Sequence, residues 1–173
     1  MSKIKINRLT NANIYMDGNN LLGRAEEIQL PQIKHKMAEH KALGMVGSAE
    51  FFAGIDKLEC KIKWNALYTE VLKKAANPFK AVQIQARASL ETYNSMGKLA
   101  EVPAVAYLTG TFKEFPLGNF KPQDNAEYET TMSVNYAKLI VDGEEIFEID
   151  VLENIYKVEG VDILETYRNN IGA

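Results

Sequence analysis

Hydrophobic and polar residues alternate through the last third of the chain and surround an Asp-Gly turn. The alternating segment, TTMSVNYAKLIVDGEEIFEIDV, extends from Thr130 to Val151. Asp142-Gly143 suits a two-residue type I′ turn, because both central residues of that turn adopt positive φ. The pattern therefore predicts a β-hairpin. Its expected cross-strand pairs are Val141 with Glu144, Leu139 with Ile146 and Tyr136 with Ile149.

The two faces of this hairpin differ in polarity. One face is apolar throughout and consists of Met132, Val134, Tyr136, Phe147, Ile149 and Val151. The other face is polar far from the turn, at Thr131, Ser133, Asn135, Glu148 and Asp150, and apolar beside the turn, at Leu139, Val141 and Ile146. A hairpin with one covered and one wet face is an ordinary sheet element. The apolar tip of the wet face needs cover, and we expect another subunit to provide it.

Strands dominate the rest of the chain as well. Residues 57–64 and 82–90 alternate with a period of two, and residues 102–115 read as a further strand with a possible bend at Gly110. A second Asp-Gly turn, at Asp17-Gly18, predicts an amino-terminal hairpin. One helix is expected between Asn65 as N-cap and Pro78, with Lys73 and Lys74 near its carboxyl end.

The segment from about Met37 to Ile55 has no clear element. Three glycines punctuate it, yet it carries several apolar side chains: Leu43, Met45, Val46, Phe51 and Phe52. Long connections of this kind are uncommon and usually functional. These side chains must either fold back onto the core or dock on a partner, and we expect the partner.

Composition limits the class of protein. The 173 residues fit one domain, 46% of them are hydrophobic and 25% charged, and the net charge is −3. These values argue against disorder and give no reason to expect a nucleic-acid-binding groove. No apolar run approaches the roughly 20 residues of a membrane span, and no secretory signal is recognised. Cys60 is the only cysteine, so no internal disulfide can form.

Catalytic, metal and cofactor sites find little support in the sequence. His35 and His40 are five residues apart, a step that does not put both on one face of a helix and would put them on opposite faces of a strand, which favours surface histidines over a zinc site. Cys60 lies between apolar alternating positions and reads as a core residue. Phosphate-binding glycine motifs are absent. The acidic residues 144–153 fit a solvated hairpin tip better than a hydrolytic pair, although a hydrolase remains a third hypothesis.

Several strings together resemble one family. YAKLIVDGEEIFEID and KVEGVDILETYRNNIG near the carboxyl end are similar to the major tail tube proteins of contractile-tailed, P2-like phages and of R-type phage-tail bacteriocins. The amino-terminal hairpin (Asn13 to Gly18), Leu30-Pro31 and Gly44-Met45 match that family in order. Ala173 departs from it, since leucine is the more usual last residue.

The resemblance implies a fold and an assembly. It implies a mainly β single domain over residues 1–173, a β-barrel or sandwich with one flanking α-helix and a long extended loop, similar to the type VI secretion tube protein. Six subunits are expected to form a ring whose sheets join around a channel, and the rings stack. Obligate interfaces of this sort bury on the order of 2,000 Å² or more.

The resemblance also implies roles for particular residues. The expected lumen-facing residues are Thr131, Ser133, Asn135, Glu148 and Asp150, which would make the channel mildly acidic and repel DNA phosphates. The expected inter-subunit residues are Leu139, Val141 and Ile146. The expected inter-ring residues are Met45, Val46, Phe51 and Phe52. The expected sheath-facing residues are Tyr68, Lys73 and Lys74.

The function expected from the resemblance is mechanical. The chain would form the conduit that a contractile sheath drives through a target envelope, without catalytic residues, metal or cofactor. Expected partners are further copies of the chain, the sheath, baseplate and tail terminator proteins, a tape-measure protein in the lumen and, in a phage, passing DNA. The particle would be a virion tail or a bacteriocin, assembled in the bacterial cytoplasm.

The alternative from another class is a monomeric carbohydrate-binding β-sandwich that uses exposed aromatics such as Tyr93 and Phe115.

Overall fold

The chain is mainly β, as predicted. The computed structural model describes residues 3–173. Its strands are β1 (Ile6–Met16), β2 (Asn19–Asn20), β3 (Ala25–Gln29), β4 (His35–His40), β5 (Ala49–Ile55), β6 (Leu58–Trp64), β7 (Val82–Asn94), β8 (Gly97–Glu114), β9 (Tyr128–Val141), β10 (Glu144–Asp150), β11 (Ile155–Val158) and β12 (Val161–Asp162). Its helices are α1 (Thr69–Ala75) and α2 (Glu165–Ile171).

The main sheet branches at β9. Its path runs β12-β11-β10-β9-β8-β7-β1-β2, and all neighbours are antiparallel. β9 pairs with β8 on one edge, while its other edge pairs first with β6 and then with β10. β6 in turn pairs with β3. Buried side chains from both branches, such as Ile62 of β6 and Ile84 of β7, form one core.

Helix α1 closes this core. Val71 and Ala75 are buried in it, and Lys73 and Lys74 lie in the last turn, as predicted. The predicted N-cap is wrong, because the helix begins at Thr69 and Tyr68 occupies the cap position. Asn65 instead donates a hydrogen bond to the Gly23 carbonyl and accepts one from the Tyr68 hydroxyl. These tertiary bonds hold Asn65 outside the helix.

Both Asp-Gly turns form as predicted. Asp17 and Gly18 have φ of 48° and 82°, and Asp142 and Gly143 have φ of 51° and 76°. These values are those of type I′ turns. Val141 lies opposite Glu144, as expected.

The predicted register beyond that pair is wrong, because a bulge in β10 interrupts the hairpin. In β10 the ladder shifts between Glu145 and Phe147, so Leu139 lies opposite Phe147 rather than Ile146. The same shift puts Tyr136 opposite Asp150 rather than Ile149. A second bulge lies between β8 and β9, where Asn135 is an extra residue between the pairs Thr109–Tyr136 and Gly110–Val134. A single extra residue reverses the faces of all residues that follow it.

The segment that the sequence leaves without a clear element is a hairpin. β4 and β5 pair from His35 with Ile55 to His40 with Ala49 and form a two-stranded sheet apart from the main one. Every residue of β4 is exposed. A strand that is exposed on both faces has no apolar–polar alternation, which is the signal that sequence analysis uses.

A second helix, α2, was not predicted. It is seven residues long and buries none of them, so it lacks a periodic apolar face. Gly172, with φ of 74°, ends it in a left-handed cap. Arg168 holds it to the body through an ion pair with Asp162 (2.6 Å) and a hydrogen bond to the Asn154 carbonyl (3.0 Å). The hydrogen bond from Arg168 lowers the pKa of the Asp162 carboxyl.

Gly110 provides a test of the β9 bulge. A Cβ at this position would lie 1.9 Å from the Ser133 carbonyl oxygen. The position of this Cβ is fixed by the β8 backbone and that of the oxygen by the β9 backbone, so neither atom can move away easily. We therefore expect Gly110→Ala to lower the free energy of unfolding by about 3 kcal/mol or more. Urea denaturation measures this change. Gly47→Ala is the matched control, because a Cβ at Gly47 meets nothing within 4 Å; equal losses in the two variants would contradict the bulge geometry.

Candidate functional site: a polar sheet face

One face of the main sheet is polar across six strands. The cross-strand pairs form a continuous row from β1 to β11: Tyr15, Gln85, Tyr107, Lys138, Glu148 and Lys157. A second row beside it contains Gln83, Thr109, Tyr136 and Asp150. We call the residues of these two rows the polar sheet face. A shallow depression of about 580 Å³ lies over its centre.

The bulge in β9 creates this face. Before it, Met132 and Val134 point into the core. If the alternation were regular, Tyr136 would be the next side chain to point into the core. Because Asn135 is an extra residue, Ala137 takes this buried position instead. Tyr136 and Lys138 therefore join the polar sheet face, while Leu139 and Val141 turn to the side of Ala106 and Ala104.

Ion pairs and hydrogen bonds link the strands across this face. Lys138 pairs with Glu145 (3.4 Å) and Lys157 with Glu148 (3.7 Å). The Tyr136 hydroxyl donates a hydrogen bond to Glu148 (3.0 Å). Partial burial, together with this bond, raises the pKa of the Tyr136 phenol above its ordinary value. Arg87 lies over the Tyr15 ring at 4.7 Å from its centroid. Two of the three carboxylates at this end of the sheet are thus paired with lysine.

The predicted lumen-facing residues are partly brought together. Ser133, Glu148 and Asp150 lie on the polar side of the sheet. Asn135 is the bulged residue, and Thr131 is only 3% exposed and donates a hydrogen bond to Glu114. The prediction missed the residues of β7 and β8, Gln83, Gln85, Tyr107 and Thr109. Gln83 and Gln85 carry a visible signal, since they are the polar half of the alternation in β7.

The other predicted contact residues separate into two groups. Leu139 and Val141 are partly buried on the core side, so they do not share a wet face with Glu148; Ile146 lies at the β10 bulge and is 40% exposed. In the β4–β5 hairpin Val46 is fully exposed, and Met45, Phe51 and Phe52 are 44%, 60% and 49% exposed. Phe52 contacts the His35 ring and Phe51 the His40 ring, on opposite faces of the hairpin as the histidine spacing predicted.

The predicted sheath-facing residues lie on or beside α1. Lys73 is exposed. Lys74 pairs with Asp17 at 2.5 Å, and Tyr68 packs against Trp64 and beneath Arg24. Burial alone would raise the pKa of Asp17, but the hydrogen bonds from Lys74 and the Gln83 backbone lower it overall. Of the two lysines, Lys74 is already paired, whereas Lys73 has no ion-pair partner within residues 3–173.

The structure also shows the surroundings of the residues that the sequence analysis considered for nucleophilic catalysis, metal binding and sugar binding. Cys60 is fully buried, and burial raises the pKa of its thiol to about 12. Within residues 3–173 no three His, Cys, Asp or Glu side chains lie close enough together to hold a metal ion. Over the same residues, no helix is long and apolar enough to cross a membrane. Tyr93 lies on β7 opposite Lys98 at the start of β8, and Phe115 directly follows the end of β8, on the order of 50 Å away, so they do not share a sugar-binding platform.

A broad antiparallel sheet with a polar face and a short helix packed on the core defines a mainly β protein. A family model described as phage tail tube protein FII matches residues 6–172. The chain therefore belongs to the phage tail tube protein FII family, which confirms the resemblance seen in the sequence. No finding favours the carbohydrate-binding alternative.

Relatives in this family are phage proteins. The chain is 31% identical over 166 residues to the tail tube protein of Escherichia phage P2, covering 92% of this chain and 94% of the relative. It is 25% identical over 149 residues to the major tail tube protein of Serratia phage KSP20, covering 85% and 84%.

Two solved structures share the fold. One is a cryo-EM structure of an extracellular contractile injection system, the PVC sheath–tube complex in the extended state, with a TM-score of 0.57 and 10% identity over 75% of this chain and 87% of that one. The other is the six-fold symmetrised baseplate of the anti-feeding prophage, with a TM-score of 0.50 and 8% identity over 75% and 90%. At these identities the likeness shows the fold alone.

Tyr136 tests the network on the polar sheet face. We expect Tyr136→Phe to lower the free energy of unfolding by about 1 kcal/mol at neutral pH, because Glu148 loses its hydrogen-bond donor. The raised pKa of Tyr136 means that its contribution is complete below the ordinary tyrosine value of about 10 and is lost as the pH rises above it. The difference from wild type should therefore shrink in alkaline denaturation series.

Tyr107→Phe is the control for this prediction, since it removes a hydroxyl from the neighbouring strand of the same face. A loss as large for Tyr107→Phe as for Tyr136→Phe, or a difference that does not change with pH, would contradict the proposed role of the Tyr136–Glu148 bond.

Proposed function

We propose that the chain is the subunit of the inner tube of a contractile injection machine, a phage tail or a phage-tail-like bacteriocin. Six copies close into a ring, the polar sheet face surrounds the channel, and rings stack into a conduit. The observation that carries this proposal is the uninterrupted polar row from Tyr15 to Lys157, in a chain of the tail tube family. A polar wall that no helix or strand within residues 3–173 covers is suited to face water in a channel.

Free strand edges support closure into a ring. β2 pairs only with Tyr15 and Met16, so the outer edge of β1 from Ile6 to Ala12 has no partner strand in the described chain. At the other end of the sheet, β12 covers only two residues of β11. Unpaired edges invite pairing with another chain, and closure of the ring removes them. Apolar side chains at both edges are exposed, including Ile6 at 55% and Val161 at 66%.

The proposed lumen is polar but less acidic than the sequence suggests. Lys157 and Lys138 partly neutralise Glu148 and Glu145. Asp150 accepts hydrogen bonds from the Leu152 and Glu153 backbone amides. In a phage, such a wall gives passing DNA no concentrated positive charge to bind, which serves ejection without strong repulsion.

The proposed partners surround the tube or pass through it. The sheath contacts the outer side near α1, where Lys73 is exposed. Baseplate and tail terminator proteins meet the two ends of the tube, and a tape-measure protein occupies the lumen during assembly. The particle is assembled in the bacterial cytoplasm and has no catalytic function in this account.

Charge placed on both sheet edges tests ring closure. We expect Ile6→Glu combined with Val161→Glu to give a folded monomer, because the two carboxylates would meet where the edges of adjacent copies pair. Native mass spectrometry and negative-stain microscopy of the wild type should show rings of six 19.4 kDa chains and stacked tubes. The double variant should show neither.

Leu67→Glu combined with Phe79→Glu is the matched control, since both side chains are exposed and lie beside α1. This control should still form rings. A wild-type protein that stays monomeric at high concentration with its tape-measure and baseplate partners, or an edge variant that assembles normally, would overturn the proposal.

A further inference from the structure

Three strands project beyond the rest of the sheet. β9 ends at Val141, which lies opposite Ala104 of β8, and residues 97–102 of β8 pair within the described chain with β7 alone. Residues 6–9 of β1 pair with the other edge of β7 at the same level. These strands therefore extend roughly 20 Å past the β9–β10 turn as a three-stranded ribbon. We call this part of the sheet the projecting ribbon.

The two sides of the projecting ribbon differ in polarity. On the side that continues the polar sheet face, Lys98 pairs with both Glu91 and Glu101, at 2.9 and 2.5 Å. The opposite side carries one apolar residue from each strand: Leu9, Leu90 and Val102. The charged side is thus suited to water, whereas the apolar side needs a cover.

The apolar side and the tip of the ribbon are exposed. Leu9 is 56% exposed, and at the tip Met96 and Leu99 are 91% and 50% exposed. Closer to the body, the core-side positions of β7 and β8 hold Ile84 and Leu108, which are at most 3% exposed. The hydrophobic core therefore ends below the ribbon. Apolar side chains that project into water as a group mark a contact with another molecule.

A second group of exposed apolar side chains lies at the opposite end of β8. This strand is 18 residues long and runs on the order of 50 Å from the ribbon tip to Glu114. The loop that follows it exposes Phe115, Leu117 and Phe120 by 42%, 80% and 83%. We call these three residues the loop patch. At about 200 Å² for each phenylalanine side chain, its two aromatic rings alone expose roughly 250 Å².

Packing against the body holds the loop patch in place. Within the loop, Gly118 lies so close to the buried Tyr128 ring that a Cβ at this position would be 2.8 Å from it. Further along, the Asn125 side chain donates a hydrogen bond to the Asn65 carbonyl at 2.5 Å. The exposed side chains of the patch are therefore presented by a supported loop, as a docking surface requires.

The direction of the strands determines which surfaces meet when rings stack. In the proposed ring the sheets stand side by side around the channel, so the ends of their strands form the two ends of the ring. A contact between like ends closes after two rings, whereas a tube of many rings requires unlike ends to meet. The projecting ribbon and the loop patch lie at unlike ends. The β4–β5 hairpin, by contrast, joins the body midway along the strands, where Leu58 of β6 lies opposite Val134.

We propose that the projecting ribbon of one copy docks on the loop patch of a copy in the next ring. Leu9, Met96 and Leu99 cover the patch, and the charged side of the ribbon continues the wall of the channel. The inference rests on the proposed function, because it requires stacked rings. It assigns the joint between rings to the ends of the strands, which the sequence does not indicate. Six such contacts form together between two rings, so a small area in each chain is sufficient.

Cysteine cross-linking tests the contact directly. Met96→Cys with Phe120→Cys, and Leu99→Cys with Leu117→Cys, are two pairs that join the ribbon to the patch. The assembled protein is oxidised mildly and run on non-reducing gels. A disulfide needs the two Cβ atoms within about 4.5 Å, so it reports close approach. Each chain carries both new cysteines, so we expect a ladder of covalent oligomers from at least one pair. Cys60 is buried and should not contribute.

Two further variants separate the alternatives. Met96→Cys alone should give no cross-link, and a covalent dimer from it would overturn the proposal, because it would show that like ends meet. Val46→Cys with Phe120→Cys tests the hairpin tip as the occupant, and a ladder from that pair in place of the ribbon pairs would also overturn it. Tubes that form without a ladder from either ribbon pair would overturn it while leaving the proposed function intact. A wild type that does not assemble overturns both.

Charge on the loop patch provides an independent measurement. Leu117→Asp combined with Phe120→Asp should reduce stacked tubes in electron micrographs about tenfold or more, while single rings persist. Leu43→Asp combined with Val46→Asp is the matched control, since these side chains of the hairpin tip are also exposed, and it should stack like the wild type. Circular dichroism checks that both variants are folded; normal stacking by a folded Leu117→Asp, Phe120→Asp variant would contradict the docking.

Discussion

The structure depends on how β9 is shared between two branches of the sheet. Its first half pairs with β6 and carries Met132 and Val134 into the core, and its second half pairs with β10. Between the halves, Asn135 is one residue more than the ladder with β8 can hold. This bulge requires Gly110 on the neighbouring strand, because a Cβ there would meet the β9 backbone. The same bulge sends Tyr136 and Lys138 to one face and Leu139 to the other.

This arrangement separates two kinds of surface. Bonds that run across strands link the side chains of the polar sheet face, from Tyr136 to Glu148 and from Lys157 to Glu148. On the opposite side the alanines of β7 and β8 leave a cleft beyond the well-packed core around Ile84 and Leu108. A wall protein needs both properties, since one side must remain wet and the other must hold its neighbours. The free edge of β1 supplies a contact with the neighbouring copy in our proposal.

The sequence predicts those elements whose signals are local. The Asp-Gly turns, the alternation of β6 and β7 and the apolar face of α1 all appear where the pattern places them. The bulges could not be predicted, because they arise from pairing between β8, β9 and β10, which are distant in the sequence. Consequently Tyr136 and Leu139 were assigned to the wrong faces. The β4–β5 hairpin and α2 were missed because neither buries an apolar face against the body.

The residues of the polar sheet face could be predicted only in part, because some follow from local alternation and others depend on pairing between distant strands. Ser133, Glu148 and Asp150 follow from the alternation of one hairpin. Gln85 and Tyr107 join them only when the register between β7, β8 and β9 is known. The family resemblance, carried mainly by the last 40 or so residues, was confirmed over residues 6–172. It indicated the class of protein but not the full extent of the polar sheet face, which depends on pairing of Gln85 with Tyr107.

The central claim is that the polar sheet face is the inner wall of a channel. A cryo-EM reconstruction of the assembled protein tests it most directly. We predict that Gln85, Tyr107 and Lys138 line a central channel and that α1 lies on the outer surface. A reconstruction in which this face is buried between subunits, or in which α1 faces the axis, would contradict the account.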